Sequence, residues 1–298
     1  MPAFKINIKI QFMNTNLITK SSDAYSLLDS GNGVRLERFG QNILIRPDNT
    51  CIWHPALPKK IWESAQGNYQ KKENNKFSWE TPKNFKTPWE VNFSEIILSL
   101  RLGPSKNIGV FPEQQGNWAW MAEKLKLNAG AKVLNLFGYT GGASLISAKY
   151  QAEVCHVDAS KAVITWARDN QKLSFLEQAK IRWIEEDCLT FMTREIKRKN
   201  IYDAIIMDPP AFGRDPKGNH FNFEDQIHEL LQAAKNLLSQ KPVFLLLNGY
   251  AMGYPSEVLG NLLREYFPHQ KIQCGELQIE HEDQKRILSC GVYGRVEF

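Results

Sequence analysis

The stretch VLNLFGYTGGASLISAKYQAEVCHVDAS, residues 133–160, joins a short apolar run, a glycine-rich turn and a lone acidic residue in one unit. The run KVLNLF (132–137) is apolar at almost every position, as a strand buried on both faces must be. At its end, Phe137-Gly138-Tyr139-Thr140-Gly141-Gly142 leads into a helical segment. Glycines placed there let backbone N–H groups approach a ligand at the helix N-terminus. Asp158 closes the next apolar run, twenty positions after Gly138, where a carboxylate would accept hydrogen bonds from a ribose. Glycines serving only a tight turn would explain the turn and leave Asp158 a coincidence.

From Ala131 onward the same grammar repeats. Apolar runs EVCHVD (153–158), IRWIEED (181–187), YDAIIMD (202–208) and VFLLLN (243–248) alternate with helix-period segments. One helix is expected over 160–172, capped by Ser160 with Val163, Trp166 and Ala167 on one face. Others are expected over 223–239 and 255–267. Such alternation predicts right-handed crossovers and a parallel, doubly wound sheet. KIQCGEL and ILSCGVYGRVEF read as a closing hairpin on the sheet edge.

The first hundred residues read differently. VRLERFGQNILIRPDNTCIW and WEVNFSEIILSLRLG alternate apolar with polar positions, the sign of antiparallel strands with one wet face. Residues 58–89 between them read as a polar, irregular loop. The expected organisation is a small β-rich domain over 1–105 and an α/β domain over 106–298.

Hydrophobic residues make up 43% and charged ones 23% of the 298, ordinary for a folded soluble chain. Five widely spread cysteines, none in a Cys-x-x-Cys pair, favour a reducing compartment over a disulfide or zinc framework. The opening MPAFKINIKIQFMNTNLITK interleaves lysine with apolar residues and does not read as a signal peptide, so a cytoplasmic location is expected. The six histidines show no ligand spacing, and no metal is expected. His220 alone falls near the chemistry discussed below, and a surface role is expected for it.

The glycine turn and Asp158 fit NAD and S-adenosylmethionine almost equally. Two details tilt the balance. The glycine pattern is G-x-x-G-G, not the G-x-G-x-x-G that carries a pyrophosphate. The fourth apolar run ends in MDPPAFGR (207–214). An acid followed by two prolines leaves strand geometry abruptly and makes a rigid ledge at the carboxyl edge of the sheet. A dehydrogenase has no evident need of such a ledge. A methyltransferase acting on a planar amine does: Asp208 and the Pro209 carbonyl would hold N–H donors while Phe212 stacks on the ring.

NLFGYTGG, HVDASKAVITWARDN, IRWIEEDCLTF and YDAIIMDPPAFGR together resemble the class I S-adenosylmethionine-dependent methyltransferases, in particular the bacterial group related to large-subunit ribosomal-RNA methyltransferases. The resemblance extends upstream through LLDSGNGVRLERFG and GVFPEQQGNW. It implies a Rossmann-like sheet of seven strands with an antiparallel last one. It also implies a cofactor pocket lined by Asn135, Phe137, Gly138, Tyr139 and Thr140. Asp158 would meet the ribose with Ala159 and Ser160 beside it, and Asp187 the adenine amino group next to Cys188. Phe111 and Gln114 would close over the methionine end. Asp208, Pro209, Pro210 and Phe212 would face the acceptor, Asp208 also bordering the cofactor.

The chain departs from these relatives in two places. It reads Pro112-Glu113-Gln114-Gln115 where many carry Asp-Gln-Arg. Relatives that methylate cytosine at C5 place a cysteine after the fifth strand, because thiolate attack must first make that carbon nucleophilic. Leu247-Asn248-Gly249-Tyr250 stands there instead. Methylation of a base nitrogen is therefore expected, with Asn248 orienting the base edge.

A polyanionic partner fits the net charge of +5, although many enzymes are as basic. Residues 59–86 interleave Lys59, Lys60, Lys71, Lys72, Lys76, Lys83 and Lys86 with Trp62, Tyr69, Phe77, Trp79 and Phe85. That mixture suits single-stranded RNA, the expected partner, and equally a wet loop whose aromatics pack inward. A protein or small-molecule acceptor, and a silent RNA-binding assembly factor, stay open at this level.

Overall fold

The structure is a computed structural model that describes residues 13–72, 76–214, 220–250 and 253–298. Most of the opening segment judged for a signal peptide, and the side chain of His220, lie outside the described residues. The apolar runs become parallel strands β1 (Lys132–Leu136), β2 (Glu153–Asp158), β3 (Ile181–Glu185), β4 (Ala204–Met207) and β5 (Phe244–Gly249). A closing hairpin adds β6 (Lys271–Glu280) and β7 (Ile287–Glu297). The order across the sheet is β6-β7-β5-β4-β1-β2-β3, with β7 antiparallel to both β5 and β6. Two short segments, Met13–Asn14 and Leu17–Thr19, pair parallel with β6 and bring the sheet to nine strands.

Side chains alternate between the two faces, and each face has its own core. Val133, Val154, Ala204, Ile206, Phe244 and Leu246 pack with Trp118, Met121 and Leu125 of α1 (Gln115–Lys126) and Leu145 of α2 (Gly142–Lys149). Leu134, Val157, Ile205, Met207, Leu245 and Leu247 pack on the other side. Their partners are Phe191 of α4 (Cys188–Lys197), Leu230 of α5 (Phe223–Leu237) and Leu259 of α6 (Ser256–Tyr266). Between α2 and α4 runs α3 (Lys161–Leu173), capped by the Ser160 hydroxyl. Its buried residues are Ile164, Ala167 and Asn170, so the apolar face lies one position beyond the expected Val163 and Trp166. The Trp166 indole is instead committed to the Ser99 carbonyl at 2.8 Å.

Ahead of the large sheet, Tyr25–Gly31, Val34–Phe39 and Asn42–Pro47 form an antiparallel meander. The segment expected to be irregular holds a short helix, Lys59–Trp62, and a hairpin, Gly67–Lys71 with Phe77–Glu80. That hairpin joins the meander through a parallel pairing with Asn42–Pro47. A further hairpin pairs Trp89–Phe93 with Ile96–Leu100. Tyr25, Phe39, Leu44, Phe93 and Leu98 share one core with Val133 and Leu145. Among the described residues no helix is long and apolar enough to cross a membrane.

Strand order reverses between β1 and β4, whose neighbours lie on opposite sides. Crossovers leave to the two faces at that point and open a crevice at the carboxyl ends of the strands, where open α/β sheets bind ligands. The glycine turn follows β1 and the Asp-Pro-Pro ledge follows β4.

Candidate active site

One cleft brings together Phe111, Gln114, Asn135, Phe137, Gly138, Tyr139, Thr140, Asp208 and Asn248. One end of it is the glycine turn. Phe137 and Tyr139 take left-handed backbone angles, φ 56° and 50°, conformations uncommon outside glycine that persist where surrounding structure enforces them. Gly138 between them lies against the buried His156 ring, and a Cβ there would stand 2.3 Å from its Cε1. Burial holds this imidazole neutral, its pKa lowered to about 3. His156 Nδ1 lies 2.9 Å from Ser144 Oγ, which accepts from Asn135 Nδ2 at 2.8 Å. Gly141, at φ 90°, turns the chain into α2. The turn is tied down from outside: Thr140 Oγ1 donates to the Gly109 carbonyl at 2.7 Å, and Asn170 Nδ2 to the Thr140 carbonyl at 2.9 Å.

Asp158 braces the same turn. Its two carboxylate oxygens accept the Tyr139 and Ser160 N–H groups at 3.0 and 2.9 Å. Burial raises its pKa while those bonds pull the other way. Asp187 stands two residues past the end of β3, which stops at Glu185, and caps α4 by accepting the Thr190 N–H at 2.8 Å. Cys188 Sγ accepts the Phe137 N–H at 3.3 Å, and burial keeps its thiol protonated. Asp158, Ala159, Ser160, Asp187 and Cys188 thus sit beside the turn rather than among the cleft-lining residues.

The other end is built around Asp208. Its Oδ1 is buried without a hydrogen-bond partner. Desolvation first, and then the Glu113 carboxylate, raise its pKa to about 7 against the pull of the Asn248 amide. Pro209 is buried and Pro210 exposed. Phe212 is 76% exposed on a two-stranded ribbon, so a large aromatic face stands in solvent beyond the ledge. Phe111 packs between Tyr139 and Tyr250, each ring centroid 5.5 Å away.

Several residues of this end escaped the sequence reading. Tyr250 accepts from Gln114 Nε2 at 2.6 Å. Asn117, wholly buried, bonds Gln114 and Asn248, and Arg295 bonds Asn117. Polar residues in the apolar runs GNWAWM and VYGRVEF were the available signal, but nothing local names their partners. Cys290, on β7, is partly buried, and desolvation raises its thiol pKa well above the ordinary value.

All five aromatics in 59–86 have internal partners. Trp62 bonds Asp29, Tyr69 the Pro104 carbonyl, Trp79 the Ser105 carbonyl, and Phe85 packs on Trp89. Phe77 stacks on Tyr69 and is 48% exposed. Lys71 and Lys76 are exposed. Among the described residues no group of three His, Cys, Asp or Glu side chains could hold a metal ion.

A family model for S-adenosylmethionine-dependent methyltransferases matches residues 64–266. The crystal structure of the S-adenosylmethionine-dependent methyltransferase from Agrobacterium tumefaciens is 36% identical, covers 96% of both chains and superposes with a TM-score of 0.88. Ribosomal RNA large subunit methyltransferase K/L of Colwellia psychrerythraea is 27% identical over 206 residues, 68% of this chain and 28% of that protein. Its counterpart in Shewanella baltica is 30% identical over 210 residues, 69% of this chain and 27% of that protein. The chain thus matches under a third of the length of these two curated relatives.

Proposed function

Because this chain belongs to the S-adenosylmethionine-dependent methyltransferases, we propose that it methylates a nitrogen of a flat base in RNA, ribosomal RNA being the source. S-adenosylmethionine supplies a methyl group on a positively charged sulfur, a leaving group good enough that the protein's main work is placement. Asn135, Phe137, Gly138, Tyr139 and Thr140 would hold it, with Phe111 and Gln114 over one end and Asp158, Ala159, Ser160, Asp187 and Cys188 around the other. The turn suits this group: Gly138 and Gly142 have no room for a side chain, and the cleft they border is lined by both aromatic and polar groups.

The observation that carries the acceptor reading is Asp208, whose Oδ1 is buried in this cleft without a partner. A buried polar atom left unpaired in a native structure calls for a ligand or a chemical role. Asp208 and the Pro209 carbonyl would accept hydrogen bonds from the acceptor N–H groups and orient the nitrogen lone pair toward the methyl. With a pKa raised to about 7, Asp208 can also take the proton that nitrogen gives up. Phe212 offers the exposed face on which an unstacked base would lie. Asn248 in place of a cysteine, and thiols at Cys188 and Cys290 whose pKa values burial raises, favour nitrogen over C5 chemistry. Ribosomal RNA as the source rests on the likeness to the two large-subunit ribosomal RNA methyltransferases and on the net charge of +5.

The test is transfer of tritiated methyl from S-adenosylmethionine to bulk RNA, run beside protein from the same lysate. Label entering RNA at base nitrogen supports the reading, and label entering only protein overturns it. Asp208→Ala should lower transfer about a thousandfold while calorimetry still finds cofactor binding. Retained turnover would remove Asp208 from the chemistry.

A further inference from the structure

The hydrogen-bond polarity of the acceptor end is set from behind, by a buried cation. Arg295, on β7, is 3% exposed and lies over the Trp120 and Tyr293 rings at 4.4 and 4.6 Å. Its Nε and Nη2 donate to Asn117 Oδ1 at 3.1 and 2.7 Å, and Nη2 also to the Gly116 carbonyl at 3.0 Å. A guanidinium carries donors only, so the Asn117 atom facing it must be the carbonyl oxygen. Both lone pairs of that oxygen are then used. The two hydrogens of Asn117 Nδ2 go to Gln114 Oε1 at 2.8 Å and Asn248 Oδ1 at 2.9 Å.

With Asn117 saturated and fully buried, Gln114 and Asn248 must each turn a carbonyl toward it and a nitrogen away. For Gln114 that nitrogen reaches the Tyr250 hydroxyl. For Asn248 it is turned toward the cleft that Asp208 lines with it, where it acts on that carboxylate. Its N–H groups are thus available to the Asp208 carboxylate and to an acceptor in the cleft.

The geometry points to Arg295 and Asn117 as positioning residues that fix Asn248 as a hydrogen-bond donor beside the Asp208 carboxylate. The site therefore reads an acceptor edge carrying a lone pair next to an N–H. The edge assignment rests on Asp208 facing the acceptor, as proposed above; the amide orientation does not. Guanine and adenine edges offer a lone pair beside an N–H, and the ammonium group of a lysine side chain does not.

Neutron diffraction from deuterated wild-type enzyme tests the orientation with no substitution. Deuterons on the Asn248 atom facing Asp208 support it, and a carbonyl there overturns it. The second test is Asn117→Asp, which leaves only acceptors opposite Gln114 and Asn248 and should turn both amides around. Asn248 would then present its carbonyl to Asp208. The substitution also adds a carboxylate, so the shift is read against Asn117→Asp/Asn248→Ala, which carries the same charge and no amide to turn. Glu113 and Tyr250, the other titratable groups facing Asp208, stay in place. Carbon-13 carboxyl resonances, assigned with Asp208→Asn, should show the Asp208 midpoint raised by about one pH unit. Arg295→Lys keeps a donor-only cation and should leave that midpoint where it is. An unmoved midpoint in folded Asn117→Asp overturns the proposal. Neither measurement uses an acceptor, so a failed RNA assay leaves them standing. Label found on an isolated alkyl amine would sink the edge assignment alone.

Discussion

At the donor end of the cleft, Asn135, Gly138, Thr140 and Ser144 fall within ten positions of one another and are shaped by backbone: two left-handed residues, a glycine without room for a methyl, a helix start. At the acceptor end, Asn117, Asp208, Asn248 and Arg295 come from α1, the end of β4, β5 and β7, and their bonds span 131 and 178 residues. The donor end is a local structure that most substitutions would deform. The acceptor end proposed above is a side-chain network whose atoms can be exchanged while the backbone stays, so on that reading specificity can be altered there without losing the donor. Substitutions should therefore separate the two ends.

Gly138→Ala should have the largest effect. Its methyl would fall on a fully buried imidazole, so ring or turn must shift. Cofactor affinity measured by calorimetry should drop about a hundredfold, roughly 2.7 kcal/mol. The Asp208 carboxyl should keep its titration midpoint. A variant that binds cofactor as before would show that the turn is less constrained than its geometry implies.

Asp208→Asn probes the other end through stability. The folded-state pKa of Asp208 is raised from 3.8 to about 7, so the native protein holds that proton more tightly than the unfolded chain does. The resulting stabilisation is fully present below the unfolded value and is lost as pH rises through the folded one. Replacing the carboxylate removes that loss. The variant should melt about 2–4 °C above wild type on the alkaline side of neutrality. Its advantage should shrink to nothing toward the unfolded pKa, with cofactor affinity unchanged. Equal melting temperatures across the range would place the Asp208 carboxylate in a better-solvated setting.

The same contrast explains what could be read from residues alone. Strand runs, the Ser160 cap, the closing hairpin and the Asp-Pro-Pro ledge are local patterns, and each falls where it was expected. The hairpin within 58–89 was not visible. Its strands are five and four residues long, polar at most positions, and held to the meander by two parallel pairings. Asp187 was placed on the end of β3 because IRWIEED continues without a break, yet its side chain serves α4 better as a cap. Asn117 and Arg295 announce only that a polar group lies in an apolar run. Their meeting is a consequence of β7 entering the sheet beside β5, which puts Arg295 opposite Leu246.

The smallest effect should come from Ser144→Ala, which asks whether the two ends share a network after all. The Ser144 hydroxyl links Asn135, which lines the cleft, to His156, which supports Gly138 from beneath. Removing it leaves a buried amide and a buried imidazole each short of a partner, a cost of about 1–3 kcal/mol in stability. The turn keeps its glycine, its Asp158 brace and its Thr140 and Asn170 ties, so cofactor affinity should fall only about threefold to tenfold. Combined with Asn117→Asp, the losses in cofactor affinity and the shift of the Asp208 midpoint should add, because the two hydrogen-bond chains have no atom in common. Coupling beyond about 0.5 kcal/mol would mean that Asn135 transmits between them, and that the cleft works as one unit rather than as two.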